Sequence, residues 1–130
     1  MEELPCATIL YRAIRPSWVP DGKLLAAAFL RRGDEDGLSA NTHSPLAGFR
    51  SLKKCSGVAS LHVGRIRDLG LEVRADPDPN DISPESKYHV LIINLPTQAE
   101  DPARAEKLAG ELVMQSRFIE KERIQTDAEA

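Results

Sequence analysis

The stretch His89-Val-Leu-Ile-Ile-Asn-Leu95 places four aliphatic residues in a row between a histidine and an asparagine. Pro96 closes it. A short, uninterrupted apolar run of this kind predicts a strand buried on both faces, and hence a central place in a sheet. The rest of the fold is read outward from it.

Upstream, Leu71-Glu-Val-Arg74 predicts a short strand. Between the two, Ala75 to Lys87 holds three prolines and four acids, which is loop chemistry. Downstream, Asp101-Pro102 has the signature of a helix start: an acid at the N-cap and proline at the first helical position. Ala105, Leu108, Ala109, Leu112 and Val113 then repeat at helical spacing, with Ile119 close to the same stripe.

The N-terminal part is more ambiguous. Ala7 to Ile14 is rich in β-formers and predicts a strand that ends at Pro16. Pro20-Asp21-Gly22 is a turn signal. Leu24 to Leu30 predicts a second strand, paired with the first as a wide hairpin. Arg31 to Gly37 is a polar turn, and Leu38 to Asn41 a short strand. A helix from Pro45 to about Lys54 would be capped by Ser44 and carry Leu46, Phe49 and Leu52 on one face. Val58 to Leu69 predicts a helix capped by Ser60 and stopped by Gly70. The alternative there is a strand, because Leu61, Val63 and Arg65 alternate.

This order of elements is α+β: a small mixed sheet of about four to five strands, with about three helices packed on it and an amphipathic helix at the C-terminus. At 130 residues the chain is expected to form one domain over 1–124, with 125–130 a frayed tail.

Composition excludes the extreme classes. Hydrophobic residues make up 42 % and charged residues 28 %, which excludes collagen-like, mucin-like and wholly disordered chains. The acidic start and the absence of a long apolar run argue against a secretory signal or a membrane span. Two cysteines, Cys6 and Cys55, make no disulfide framework and are expected to be reduced, buried thiols of a cytoplasmic protein. The net charge of -3 hides an asymmetry: residues 1–74 carry +3 and residues 75–130 carry -6. The first half can therefore meet an anion despite the negative total.

No motif names a reaction, and no catalytic set is identified. Gly22-Lys23-Leu24 lacks the rest of a P-loop, and no glycine pattern makes a dinucleotide fingerprint. Asp76, Asp78 and Asn80 mimic the first ligands of a calcium loop, but Asp81 stands where glycine is needed and Lys87 where a bidentate glutamate is needed. His43, His62 and His89 lack metal-ligand spacing. No metal and no cofactor are expected. Cys55 and His62 could form a nucleophile pair only if something oriented them.

Arg12 stands out, because on a strand it shares a face with Leu10 and Ile14. An arginine among apolar neighbours either reaches an edge or pairs with an acid or a bound anion. His62 and Arg65, three apart on the expected helix, would share a face and could add to an anion site with Arg12. Trp18, between prolines, together with Arg31 and Arg32, is the expected partner-binding surface, because tryptophan and arginine are enriched at binding hot spots.

The leading expectation is thus a small cytoplasmic, non-catalytic binding or accessory module. It would act through contacts with a protein, either another chain or a second copy. The alternative is a small enzyme or sensor that takes a nucleotide or other phosphorylated ligand at Arg12, His62 and Arg65. A third reading is a nucleic-acid-binding accessory protein, built on the basic residues of the first half but poor in aromatics for base stacking. No membrane role is expected.

Overall fold

The first strand, β1 (Ile9–Ile14), organises the molecule. The computed structural model describes residues 4–43, 55–77 and 87–123. Strand β1 runs between β2 (Leu38–Asn41) and β3 (Gly57–His62), antiparallel to both. Its pairing with β3 is the longest in the sheet, running from Ile9 opposite His62 to Ile14 opposite Gly57. The remaining strands are β4 (Glu72–Ala75), β5 (His89–Ile93) and β6 (Arg117–Glu120). The six form one sheet in the order β4-β5-β2-β1-β3-β6. Every strand pair is antiparallel, so the expected mixed sheet is an antiparallel one with one or two more strands than expected.

The fold class is α+β as expected. Two α-helices lie wholly within the described residues, α1 (Val63–Asp68) and α2 (Pro102–Gln115). The side chain of Asp101 caps α2 by accepting from Arg104 N–H at 3.1 Å, and Pro102 follows it. The buried stripe of α2 is Ala105, Leu108, Ala109 and Leu112, as the periodicity predicts.

Register sorts the sheet into two faces, because side chains alternate along each strand. Leu10, Arg12 and Ile14 share one face with Leu38, Ala40, Ala59, Leu61, Val73, Val90 and Ile92. The apolar members of that group belong to the main core, together with Phe29, Ile66, Leu108 and Leu112. Strand β5 is buried on both sides, with Val90 and Ile92 toward the core and Leu91 buried on the other face. It lies second from the edge, beside β4, rather than at the centre.

Three sequence expectations fail for physical reasons. Leu24 to Leu30 is not a strand: Ala26–Phe29 is a single 3-10 turn that packs on α2. Three alanines carry little β-preference, and burying Ala28 and Phe29 against the helix is the better use of the apolar run. Val58 to Leu69 is a strand and then a helix, with the switch between His62 and Val63. There the residues before β1 take over the free backbone donors: Val63 N–H donates to Thr8 C=O at 3.0 Å and Gly64 N–H to Cys6 C=O at 2.9 Å. Ser60 therefore lies within a strand and caps nothing, while Gly70 ends the helical stretch at φ 84°. The last helix stops at Gln115, so Ile119 belongs to β6, opposite Val58, and not to the stripe of α2.

The expected helix from Pro45, its cap Ser44, most of the proline-rich loop and the C-terminal tail lie outside the described residues. Both cysteines are free, but only Cys55 is buried; Cys6 is exposed. No described helix is long and apolar enough to cross a membrane.

Candidate anion-binding site

Arg12 is the charged residue that the sheet register forces inward. It lies on the core face and is only 8 % exposed. Its guanidinium is fixed from two nitrogens. Nε donates to Ala28 C=O at 2.8 Å, and Nη1 donates to Ser39 C=O at 2.8 Å. The first acceptor belongs to the 3-10 turn and the second to β2, so one side chain ties both elements to β1. No carboxylate lies within ion-pair distance of it among the described residues.

The segment after β1 returns an aromatic ring to this arginine. Pro16–Trp18 forms a 3-10 turn, and Leu25 N–H donates to Trp18 C=O at 2.8 Å. The Trp18 ring is half-buried against the core. The Arg12 guanidinium carbon is 5.2 Å from the ring centroid and that of Arg15 is 5.5 Å away. Both distances suit a cation–π contact. Trp18 is thus held between the core and two arginines and is not a free anchor.

Electrostatically the cluster is cationic. Burial depresses the Arg12 pKa to about 10; Glu35 opposes this, and the positive charges of Arg15 and Arg32 add to it. Arg12 remains charged at neutral pH. Glu35 sits in the turn that follows the core segment and accepts a hydrogen bond from Arg32 N–H at 3.2 Å. Arg15 and Arg32 thus act on Arg12 as like charges, with Glu35 opposing them.

Arg31, next in the chain, has a different role. Nε donates to Leu95 C=O at 2.7 Å, Nη1 to Glu35 C=O at 2.6 Å, and Nη2 to Glu100 Oε1 at 2.8 Å. Glu100 also accepts from Thr97 N–H, and Thr97 Oγ1 accepts from Glu100 N–H. Hydrogen bonding from the Thr97 backbone N–H, and then from its side chain, holds the Glu100 carboxyl below its ordinary range, with Arg31 adding to the effect. Arg31 is a clasp between the 31–37 turn and the approach to α2, and it positions the turn that carries Arg32 and Glu35. Its guanidinium is committed to that clasp. Arg32 is exposed.

The structure does not gather Arg12, His62 and Arg65. His62 lies opposite Ile9, on the other face of the sheet from Arg12. It is exposed at the end of β3, whereas Arg65 is exposed on α1, so the two do not share a helix face. Cys55 is buried at the head of β3 and His62 ends that strand, which leaves no nucleophile pair. Burial pushes the Cys55 thiol above its ordinary range, the opposite of what a nucleophile needs. It lines an open cleft of about 390 Å³ with Val19, Phe118 and Lys121. His89 Nδ1 lies 3.1 Å from Asp76 Oδ2, and His43 stacks on Tyr88 at 4.7 Å. No group of His, Cys, Asp and Glu among the described residues could hold a metal ion.

Arg15 and Glu35 are the members of the cluster that the sequence reading did not single out. A signal for Arg15 was present: Arg12, Arg15 and Trp18 are spaced by three across a strand end and a proline. No family model, curated protein or solved structure matches the chain.

Proposed function

We propose that the chain is a small, non-catalytic binding module whose ligand presents an anionic group to Arg12, Arg15 and Trp18. One observation carries this reading: a buried guanidinium, held rigid by two backbone carbonyls, has other arginines as its near charges and one carboxylate, Glu35, beyond ion-pair range. Burying an unpaired charge is costly, and an anion offsets that cost through charge-assisted hydrogen bonds. The anion can belong to a small molecule or to a side chain of a protein partner, so the reading is compatible with an accessory role. It replaces His62 and Arg65 with Arg15 and Arg32.

The test uses the one tryptophan of the chain, which is also in the site. Trp18 emission is followed while acetate, sulfate or phosphate replaces chloride at constant ionic strength. A saturable change that is weakened at least about tenfold in Arg15→Gln supports the proposal, since loss of a charged partner at an anion site has that scale. An emission that tracks ionic strength alone, with no saturation for any anion, ends it.

A further inference from the structure

We propose that β4 is a self-association edge: it pairs antiparallel with β4 of a second copy of this chain, about a two-fold axis at Val73, and joins two sheets into one. The inference goes beyond the anion-binding reading and uses none of its residues. Strand β4 forms one end of the sheet. In an antiparallel ladder, residues that bond to the neighbouring strand alternate with residues that point away from it. Asp76 N–H donates to His89 C=O at 2.8 Å, so Arg74 and Glu72 share that inward phase, opposite Leu91 and Ile93. Val73 and Ala75 therefore direct their N–H and C=O groups to the outer edge, and Leu71 continues the row. Such an edge is a template for another strand.

Register selects the second copy as the partner. Two antiparallel edges can meet only through their outward-pointing residues. With Val73 opposite Val73, Glu72 faces Arg74 of the second copy and Arg74 faces its Glu72. Both are narrow, non-hydrogen-bonded pairs, where side chains approach most closely. One step along the row in either direction sets Arg74 against Arg74 or Glu72 against Glu72. A second step toward the C-terminus faces Arg74 with Asp76, which already lies 3.1 Å from His89. It also puts Pro77, which has no N–H, opposite Val73. The Val73 register combines opposite charges with an intact row of donors.

The side chains suit this exchange. Arg74 is exposed and makes no ion pair among the described residues. Glu72 Oε1 accepts from Arg67 Nε at 2.7 Å and from Val73 N–H at 2.9 Å, so its carboxylate covers the edge of the single chain. On pairing, Val73 N–H passes to Val73 C=O of the second copy. Glu72 Oε2, which has no partner among the described residues, then takes Arg74 of that copy. The opposite edge does not fit itself. Lys121 N–H donates to Ser56 C=O, which leaves Phe118 and Glu120 outward on β6. Pairing those two across a two-fold axis sets Arg117 against Lys121, like charge against like.

Sedimentation of the intact chain from about 1 μM to about 1 mM tests the proposal, with amide hydrogen exchange at both ends of that range. The expected result is a reversible dimer whose formation adds protection at Val73 and Ala75 and none at Phe118 and Glu120. Arg74→Glu, at an exposed position, turns both cross-strand pairs into acid against acid and is expected to weaken the dimer at least about tenfold. Glu72→Lys turns both into base against base and is expected to do the same. Mixing the two variants restores opposite charges at both pairs, so the mixture is expected to form a heterodimer that neither variant matches alone. Circular dichroism shows whether each variant folds. Should Glu72→Lys unfold, Arg74→Glu and the exchange pattern of the wild type decide the matter. Four results overturn the proposal: a wild-type chain that stays monomeric throughout, a dimer that Arg74→Glu leaves intact, protection gained at Phe118 and Glu120 instead, or folded variants whose mixture stays monomeric.

Discussion

Replacing Arg12 by lysine should damage the protein at least as much as replacing it by methionine. The magnitudes follow from the site. The fall of the Arg12 pKa to about 10 corresponds to about 3 kcal/mol opposing the buried charge. Hydrogen bonds from a charged donor return about 1.5–3 kcal/mol each, and Arg12 makes two of them. Its contact with Trp18 adds about 0.5–2 kcal/mol. Methionine fills much of the stem's volume and removes the charge. It loses the hydrogen bonds and the ring contact but recovers the burial cost, so the net loss is about 1–4 kcal/mol. Lysine keeps the burial cost. Its single nitrogen cannot donate to both Ala28 C=O and Ser39 C=O, which the guanidinium reaches from two different atoms. Urea unfolding followed by circular dichroism measures the three stabilities, and an unchanged slope with denaturant confirms comparable states. A lysine variant close to wild type beside a weakened methionine variant would refute the reasoning. It would mean that charge alone, and not the fork on two carbonyls, holds this part of the fold.

Two further perturbations test other parts of the structure. A methyl group added at Gly57 would run into the backbone carbonyl of Ile119 and the Phe118 ring, on the strand that pairs with β3. Gly57→Ala is therefore expected to cost about 3 kcal/mol or to detach β6, read as lost protection of the Phe118 and Ile119 amides in hydrogen exchange. Glu100 has a folded pKa below its ordinary 4.5, held there first by Thr97 and then by Arg31. A depressed carboxylate contributes stability that is fully present above its unfolded value and is lost as pH falls through the folded one. Glu100→Gln should thus lower Tm at neutral pH and converge with wild type as pH falls through the lowered folded pKa of Glu100; parallel Tm curves from neutral to acid pH would exclude the Arg31–Glu100–Thr97 clasp as a source of acid sensitivity.

The legible parts of the fold are those set by neighbouring residues. Pro16 and Pro96 bound strands, Asp101-Pro102 starts α2, and the aliphatic run at 90–93 is buried on both faces. The illegible parts are those set by distant partners. Nothing near Val63 in the chain shows that Thr8 and Cys6 will receive its amide and that of Gly64, and without those acceptors a continuous helix over 58–69 satisfies the same periodicity. Nothing near Leu24–Leu30 shows that a helix more than seventy residues later will cover Ala28 and Phe29. The break after Gln115 has a weak local sign only: Ser116 turns extended and bonds back through its hydroxyl to Val113 C=O, a role that serine also plays within helices.

Arg12 and Arg31 show how the same limit applies to the site. Both are arginines beside apolar segments, and both donate from Nε and Nη1 to backbone carbonyls. They differ in the third nitrogen. That of Arg31 meets Glu100, 69 residues away, and the charge is spent within the fold. That of Arg12 meets no carboxylate among the described residues, and the charges that act on it are Glu35 and two further arginines. A sequence shows that an inward-facing arginine needs a counter-charge, but not whether the chain supplies one. Only the three-dimensional arrangement separates an arginine that closes the structure from one whose charge is directed outside it. That distinction moves the functional reading from Arg31, which the fold consumes, to Arg12 and the arginines around it.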